Sequence, residues 1–238
     1  MSNPIRIGIA GLGTVGAGLI KIIQKNSNIL EARAGKPIKI IAVSALSKSK
    51  DRGVDLTAYE WEDDPIALAK RDDIDVFVEL IGGESGQAKK ATEEAIKHGK
   101  HVVTANKAML AIHGQELASA AENSGVNLRF EAAVAGGIPV IKTLTESLAG
   151  NNITRIMGVM NGTCNYILTR MEDTGLAYEE IFEEANQLGF LEADPNLDVG
   201  GIDAAHKLVL LSSIAYGTQV DFNGAILEGI GRITIEDI

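Results

Sequence analysis

The segment Gly189 to Lys207, GFLEADPNLDVGGIDAAHK, places Glu192, Asp194, Asp198 and Asp203 ahead of one lysine and opens a helix that continues LVLLSSIAY. That continuation is apolar almost all round. The helix should therefore be buried, with the charges of its first turns at the edge of a core rather than on a wet face. Asp203 and Lys207 are four residues apart and share a helix side, so they can pair. A lysine at a desolvated cleft can hold a proton and deliver it to an alkoxide as a hydride reaches a carbonyl carbon, general acid catalysis worth about 10² to 10⁴ in rate. Asp203 would orient it, and Glu192 with Asp198 could grip a substrate ammonium. Residue types alone equally allow a solvated acidic loop with a structural ion pair.

A second constellation lies near the start. Gly11, Gly13 and Gly16 form Gly-x-Gly-x-x-Gly where an apolar strand meets a helix. The first glycine permits a tight turn, the second lets the backbone approach a pyrophosphate, and the third lets the helix pack on the strand. The free N–H groups and positive helix end would then hold the diphosphate, each dipole contact contributing about 0.3 to 1 kcal/mol. A ligand-free packing turn is the plain alternative. An NAD site expects an acid at the end of the second strand. Here Ala45-Leu46 is followed by Ser47, Lys48, Ser49, Lys50, Asp51 and Arg52. Hydroxyls and positive charge in place of the acid point to NADP, with NAD also accommodated, against a merely solvated polar loop. Lys107 follows the fourth strand at the edge where open α/β sheets bind ligands, and could touch both cofactor and substrate or simply start a helix. His98, His101, His113 and His206 share no spacing with Cys164 or the acids that suggests zinc, so no catalytic metal is expected.

The elements that must position these residues alternate. Apolar strands are expected at Ile5 to Ala10, Lys39 to Leu46, Asp75 to Ile81, His101 to Thr104 and Asn127 to Val134. Helical spacing runs over Val15 to Gln24, with Leu19, Ile22 and Ile23 on one side, and over Pro65 to Arg71, Gln87 to His98 and Lys107 to Asn123. The last two stop at Gly99 and Gly125. This pattern predicts an α/β, Rossmann-like doubly wound parallel sheet over residues 1–134, which with the glycine turn reads as a dinucleotide-binding domain, a fold that FAD and other nucleotides also use. After Gly136-Gly137-Ile138-Pro139 the character changes. Residues 135–238 read as an α+β substrate domain: a helix through Ser147, a strand at Ile153 to Met160, then mostly helix to Tyr216 with one long loop from Gly189 to Gly200.

Bulk properties bound the partners. A formal charge of -10, from 22 basic and 32 acidic residues that are interspersed, argues against a nucleic-acid surface. The N-terminus reads as a strand rather than a signal peptide, and no apolar run reaches the roughly 18 residues of a spanning helix, so no membrane partner is expected. The single cysteine, Cys164, excludes intrachain disulfides and fits a reduced cytoplasm.

The sequence resembles the homoserine dehydrogenase family through GLGTVG at Gly11 to Gly16, TANKAML at Thr104 to Leu110, EAAVAGGIP at Glu131 to Pro139, NGTCNYIL at Asn161 to Leu168, and the Gly189 to Lys207 segment. The resemblance covers essentially the whole chain. It implies interconversion of L-homoserine and L-aspartate 4-semialdehyde with NAD(P)(H), on the route to threonine, methionine and isoleucine. It further implies Lys207 as proton donor, Asp203 as its partner, Lys107 as a second active-site lysine, and Glu192 and Asp198 as substrate ligands. The implied cofactor-binding set is Gly11, Gly13, Thr14, Val15, Gly16, Lys48, Gly82, Thr104, Lys107 and Gly189, the last adjoining the nicotinamide. A monovalent cation, usually sodium, would be held by backbone oxygens of Glu131, Val134, Gly136 and Ile138. Family members continue beyond residue 238 and form homodimers, so an incomplete catalytic domain is expected. A non-catalytic NADP-binding module and a different amino-acid dehydrogenase stand as alternatives.

Overall fold

Ile5–Ala10 forms β1, whose last four residues are all buried, as a strand covered on both faces requires. In this computed structural model, which describes residues 3–191 and 194–238, β1 leads into α1 (Thr14–Lys25), α2 (Ser27–Ala34), β2 (Ile38–Ser44) and β3 (Glu60–Glu62). There follow α3 (Pro65–Lys70), β4 (Val76–Glu79), α4 (Gln87–Lys97), β5 (His101–Thr104), α5 (Lys107–Asn123), β6 (Leu128–Arg129), α6 (Glu131–Val134) and α7 (Val140–Lys142). The strands make one sheet of order β3-β2-β1-β4-β5-β6 with every pairing parallel. The chain winds outward from β1 to β3, returns to β4, and winds the other way. The carboxyl ends of β1 and β4 therefore diverge, and such a switch point is where open sheets bind ligands.

Ile7, Ile9, Ile40, Val43 and Val78 of the sheet pack with Leu12, Ile20 and Ile23 in one apolar cluster. Ile22, expected on this face of α1, is 52% exposed, because the buried stripe is Gly16, Ala17, Ile20 and Ile23. Arg6 and Asp75 strap β1 to the entry of β4. The Arg6 backbone N–H and Nε both donate to Asp75 Oδ2, at 2.9 and 3.1 Å, and Nη2 donates to Oδ1 at 2.6 Å.

Two strand expectations are corrected. Asn127 to Val134 is not one strand: the ladder stops at Arg129 and the chain turns helical at Glu131, whose carboxylate accepts the backbone N–H groups of Ile141 and Lys142 at 2.8 and 2.9 Å. Those bonds fold the glycine-rich stretch back on α6. By compactness the chain divides into two units, residues 1–143 and 144–238. In the second unit, Ile153 to Met160 joins no ladder, since the described residues of that unit offer no partner strand and an unpaired strand cannot satisfy its own N–H and C=O groups.

The second unit is built from α8 (Gly162–Thr174), α9 (Tyr178–Gln187), α10 (Asn196–Val199) and α11 (Ile202–Tyr216). Ile167 and Met171 of α8 pack on Ile181 and Ala185 of α9. The buried side of α11 carries Asp203, Ala205, His206, Val209, Leu210 and Leu211, so polar and apolar residues share one covered face.

Candidate functional site

In the first unit, a crevice of about 300 Å³ opens at the carboxyl ends of β1, β2 and β4. Its lining includes Gly11, Leu12 and Gly13 of the turn, with Ser47, Lys50, Arg52 and Asp63 and with Leu80, Ile81 and Gln87. Gly11 adopts φ +95°, and a Cβ there would lie 2.2 Å from the Leu80 carbonyl oxygen, so this turn tolerates no side chain. A Cβ on Gly16 would lie 2.1 Å from the Gly11 oxygen. Gly13 differs: a Cβ there meets no protein atom within 4 Å, yet the residue lines the crevice. Its missing side chain serves access to the backbone rather than internal packing. Gly13 caps α1, which has no acid in its first turn, so the amino-terminal N–H groups of Thr14, Val15 and Gly16 offer an uncontested anion site. These features fit a dinucleotide diphosphate.

The loop after β2 is tied to this turn by Arg52. Its Nε donates to the Leu12 carbonyl at 3.1 Å, Nη1 to Lys50 O at 2.7 Å and Nη2 to Ser47 O, with the guanidinium 5.6 Å from the Trp61 ring centre. Lys48 belongs to the same loop but stands outside the crevice lining, which carries Lys50 and Arg52.

Gly82, Thr104 and Lys107 come together through a residue that sequence reasoning missed. Glu79, fully buried at the end of β4, accepts from the backbone N–H groups of Ile81 at 2.7 Å and Gly82 at 3.1 Å, and from the Thr104 hydroxyl. Thr104 Oγ1 accepts the Asn106 N–H at 2.9 Å. Asn106 caps α5 by accepting from Met109 N, and its Nδ2 donates to the Gly83 oxygen at 2.7 Å. This chain fixes the turn after β4 and sets Lys107 as the first residue of α5. The available signal was an acid inside the apolar run DVFVELI.

In the second unit, Lys207 Nζ donates to Asp203 Oδ2 and to the Met160 carbonyl oxygen, both at 2.7 Å. Asp203 and Asp198 are each more than nine-tenths buried, and between them sits Asn161, whose Nδ2 donates to Asp198 Oδ1 at 2.8 Å and Asp203 Oδ2 at 2.9 Å. Asn161 opens the NGTCNYIL motif, where its residue type alone signals no role. Cys164, in the first turn of α8, donates its thiol to the Asp198 carbonyl at 3.3 Å; burial, then the charges of Asp198 and Asp203, push that thiol up from its ordinary range. Gly189 ends α9 with φ +74° and Phe190 follows against the Tyr166 ring. Glu192 lies outside the described residues.

The four residues expected around a cation fall on α6 and the turn after it. The Glu131 carbonyl accepts from Ala135 N at 3.3 Å and the Ile138 carbonyl from Val140 N at 2.8 Å, each oxygen retaining a second lone pair. Among the described residues, no group of three or more His, Cys, Asp or Glu side chains could hold a metal ion. No helix among them is long and apolar enough to cross a membrane.

A six-stranded parallel sheet of this order, with a glycine turn at its switch point, defines the first unit as a dinucleotide-binding domain of the Rossmann class. Residues 11–131 match the model of the homoserine dehydrogenase NAD-binding domain, and residues 139–238 match that of homoserine dehydrogenase itself. The chain belongs to the homoserine dehydrogenase family. A homoserine dehydrogenase of Neisseria gonorrhoeae is 46% identical over 236 residues, which are 99% of this chain and 54% of that protein. The crystal structure of one from Thiobacillus denitrificans matches with TM-score 0.94 and 43% identity, over 99% of this chain and 54% of the other. A hyperthermophilic archaeal homoserine dehydrogenase in complex with NADPH matches with TM-score 0.81 and 28% identity, over 97% of this chain and 75% of that one. The chain spans about half the length of the curated relatives it matches.

Proposed function

We propose that this chain carries the cofactor-binding and proton-donating parts of an oxidoreductase that interconverts L-homoserine and L-aspartate 4-semialdehyde. The observation that carries the reading is the Lys207 ammonium held between Asp203 and the Met160 carbonyl beside buried Asp198. An ammonium has three N–H donors, and these two bonds leave one to direct at a substrate oxygen. In the reducing direction Lys207 gives a proton to the aldehyde oxygen; in the oxidising direction it takes one from the hydroxyl. Asp203 fixes the angle of approach. Asp198, with Glu192, holds the substrate ammonium by charge and hydrogen bonds, and Lys107 is read as a second active-site lysine.

The nicotinamide, when bound, supplies or receives the hydride. Gly11, Gly13, Thr14, Val15 and Gly16 would hold its diphosphate, and Gly82, Thr104 and Gly189 would flank the rest. The cationic loop Ser47 to Arg52, Lys48 included, supports NADP over NAD, because a 2'-phosphate asks for positive charge where an acid would repel it. The oxygen-only set of Glu131, Val134, Gly136 and Ile138 suits a hard monovalent cation, read as sodium. Family resemblance, with exposed apolar Met157 and Val159, supports a homodimer, and the lone thiol supports a reducing cytoplasm. The product would feed threonine, methionine and isoleucine synthesis.

The test is homoserine-dependent reduction of NADP, and of NAD for comparison, followed by absorbance. Turnover is expected, and Lys207→Ala should lower kcat by about 10² or more while NADPH affinity stays within a factor of about two. A Lys207→Ala protein with ordinary turnover overturns the reading.

A further inference from the structure

Asn161 is 7% exposed and lies at the N-cap of α8. Its Oδ1 accepts the Cys164 backbone N–H at 2.8 Å, which fixes the orientation of the amide: the atom facing an N–H must be oxygen. The atom facing Asp198 Oδ1 and Asp203 Oδ2 must then be nitrogen, since an ionised carboxylate only accepts. An amide nitrogen carries two hydrogens, and here one goes to each carboxylate, at 2.8 and 2.9 Å. The same Asp203 oxygen also accepts from Lys207 Nζ. A single neutral amide thus lies between two buried groups of like charge. One belongs to the proton-donor pair; the other is the acid assigned to the substrate ammonium.

We propose that Asn161 is a positioning residue that holds Asp198 and Asp203 at a fixed separation and so sets the ammonium grip in register with the Lys207 proton donor. This rests on the homoserine reading above. The competing role is helix capping alone, and the two separate cleanly. Asn, Asp and Ser are nearly equivalent caps, but neither Asp nor Ser supplies two N–H donors. Asp would turn an oxygen toward both carboxylates; Ser, shorter and with one hydroxyl hydrogen, would lose one contact and draw back from the other.

The experiment measures Asn161→Asp and Asn161→Ser in the intact protein. Capping alone predicts both near wild type. Positioning predicts kcat/KM for homoserine lower by about a hundredfold in Asn161→Asp and about tenfold in Asn161→Ser. KM should rise and kcat fall together, with NADPH affinity unchanged. Both variants within twofold of wild type overturn the proposal. A crystal structure of Asn161→Ser gives a readout free of activity: the Asp198 and Asp203 carboxylates should leave their present places, and carboxylates that stay put overturn the proposal even if activity is lost. A wild-type protein that ignores homoserine defeats the functional reading, while the crystal structure still decides whether Asn161 sets the spacing.

Discussion

Lys207 Nζ stands 2.7 Å from Asp203 Oδ2, one helical turn away on α11, with 20% and 7% of the two side chains exposed. The aspartate is the more deeply buried partner, so it anchors and the lysine is aimed. Asp203→Asn keeps the size of the side chain and removes its charge. It is expected to lower kcat about tenfold to a hundredfold while leaving NADPH affinity unchanged, because Lys207 loses the charged acceptor that directs it. Steady-state kinetics with calorimetric titration of NADPH check this; a loss confined to cofactor affinity would contradict it.

The three turn glycines should fail in different ways when changed to alanine. At Gly16 the added methyl collides with the Gly11 carbonyl, and rigid backbone cannot yield, so stability should fall by about 1 to 3 kcal/mol. At Gly13 the methyl meets no protein atom, so the thermal midpoint should hold while dinucleotide affinity drops about tenfold or more. Thermal denaturation and equilibrium titration of the two variants give the comparison, and equal loss of stability in both would refute it.

Glu79 offers a test of the turn after β4. Glu79→Ala orphans the buried Thr104 hydroxyl and frees two part-buried backbone N–H groups, with an expected cost of about 1 to 3 kcal/mol and weaker cofactor binding. Glu79→Gln keeps one oxygen for the N–H pair and turns its NH₂ toward Thr104 Oγ1, so it should be milder. Denaturant titration of both decides the order.

Acid should loosen the sheet at the Arg6–Asp75 strap. Side-chain hydrogen bonds from Arg6 hold the Asp75 carboxyl below the usual carboxylate range. A lowered folded-state value means that the unfolded chain binds the proton first as pH falls. The contribution is therefore whole above the unfolded value of about 3.9 and disappears as pH drops through the folded one. Asp75→Asn lacks this titration, so its thermal midpoint should fall less steeply than that of wild type between about pH 5 and pH 3. Parallel curves would rule the strap out as a source of acid sensitivity.

What could be read from residues alone follows from what each element depends on. β1, β5 and α5 stand at the bounds expected, because apolar runs punctuated by Gly or Asn define them locally. α2 has no buried residue and so no apolar stripe to betray it, while β3 is an edge strand of sequence EWE, too short at three residues for its alternation to stand out. Ile153 to Met160 has strand-like composition, but a strand is a relation between segments, and composition does not supply the partner. The glycine turn and the Asp203–Lys207 pair were visible because both depend on spacing within one helix or turn. Asn161, Glu79 and the Arg52 tether depend on contacts across 37 and 42, 25, and 40 residues of chain, which no local pattern encodes.

The covered face of α11 acts as a key cut in one phase. Leu210 and Leu211 are locked in the core, 2% and 5% exposed, and they set the rotation at which the preceding turn presents its acid and its lysine. One residue added between Lys207 and Leu210 would swing that turn by about 100° around the axis, carrying Asp203 off its amide partner while leaving every side chain in the sequence. Length variation in this helix is therefore far more damaging than most substitutions within it.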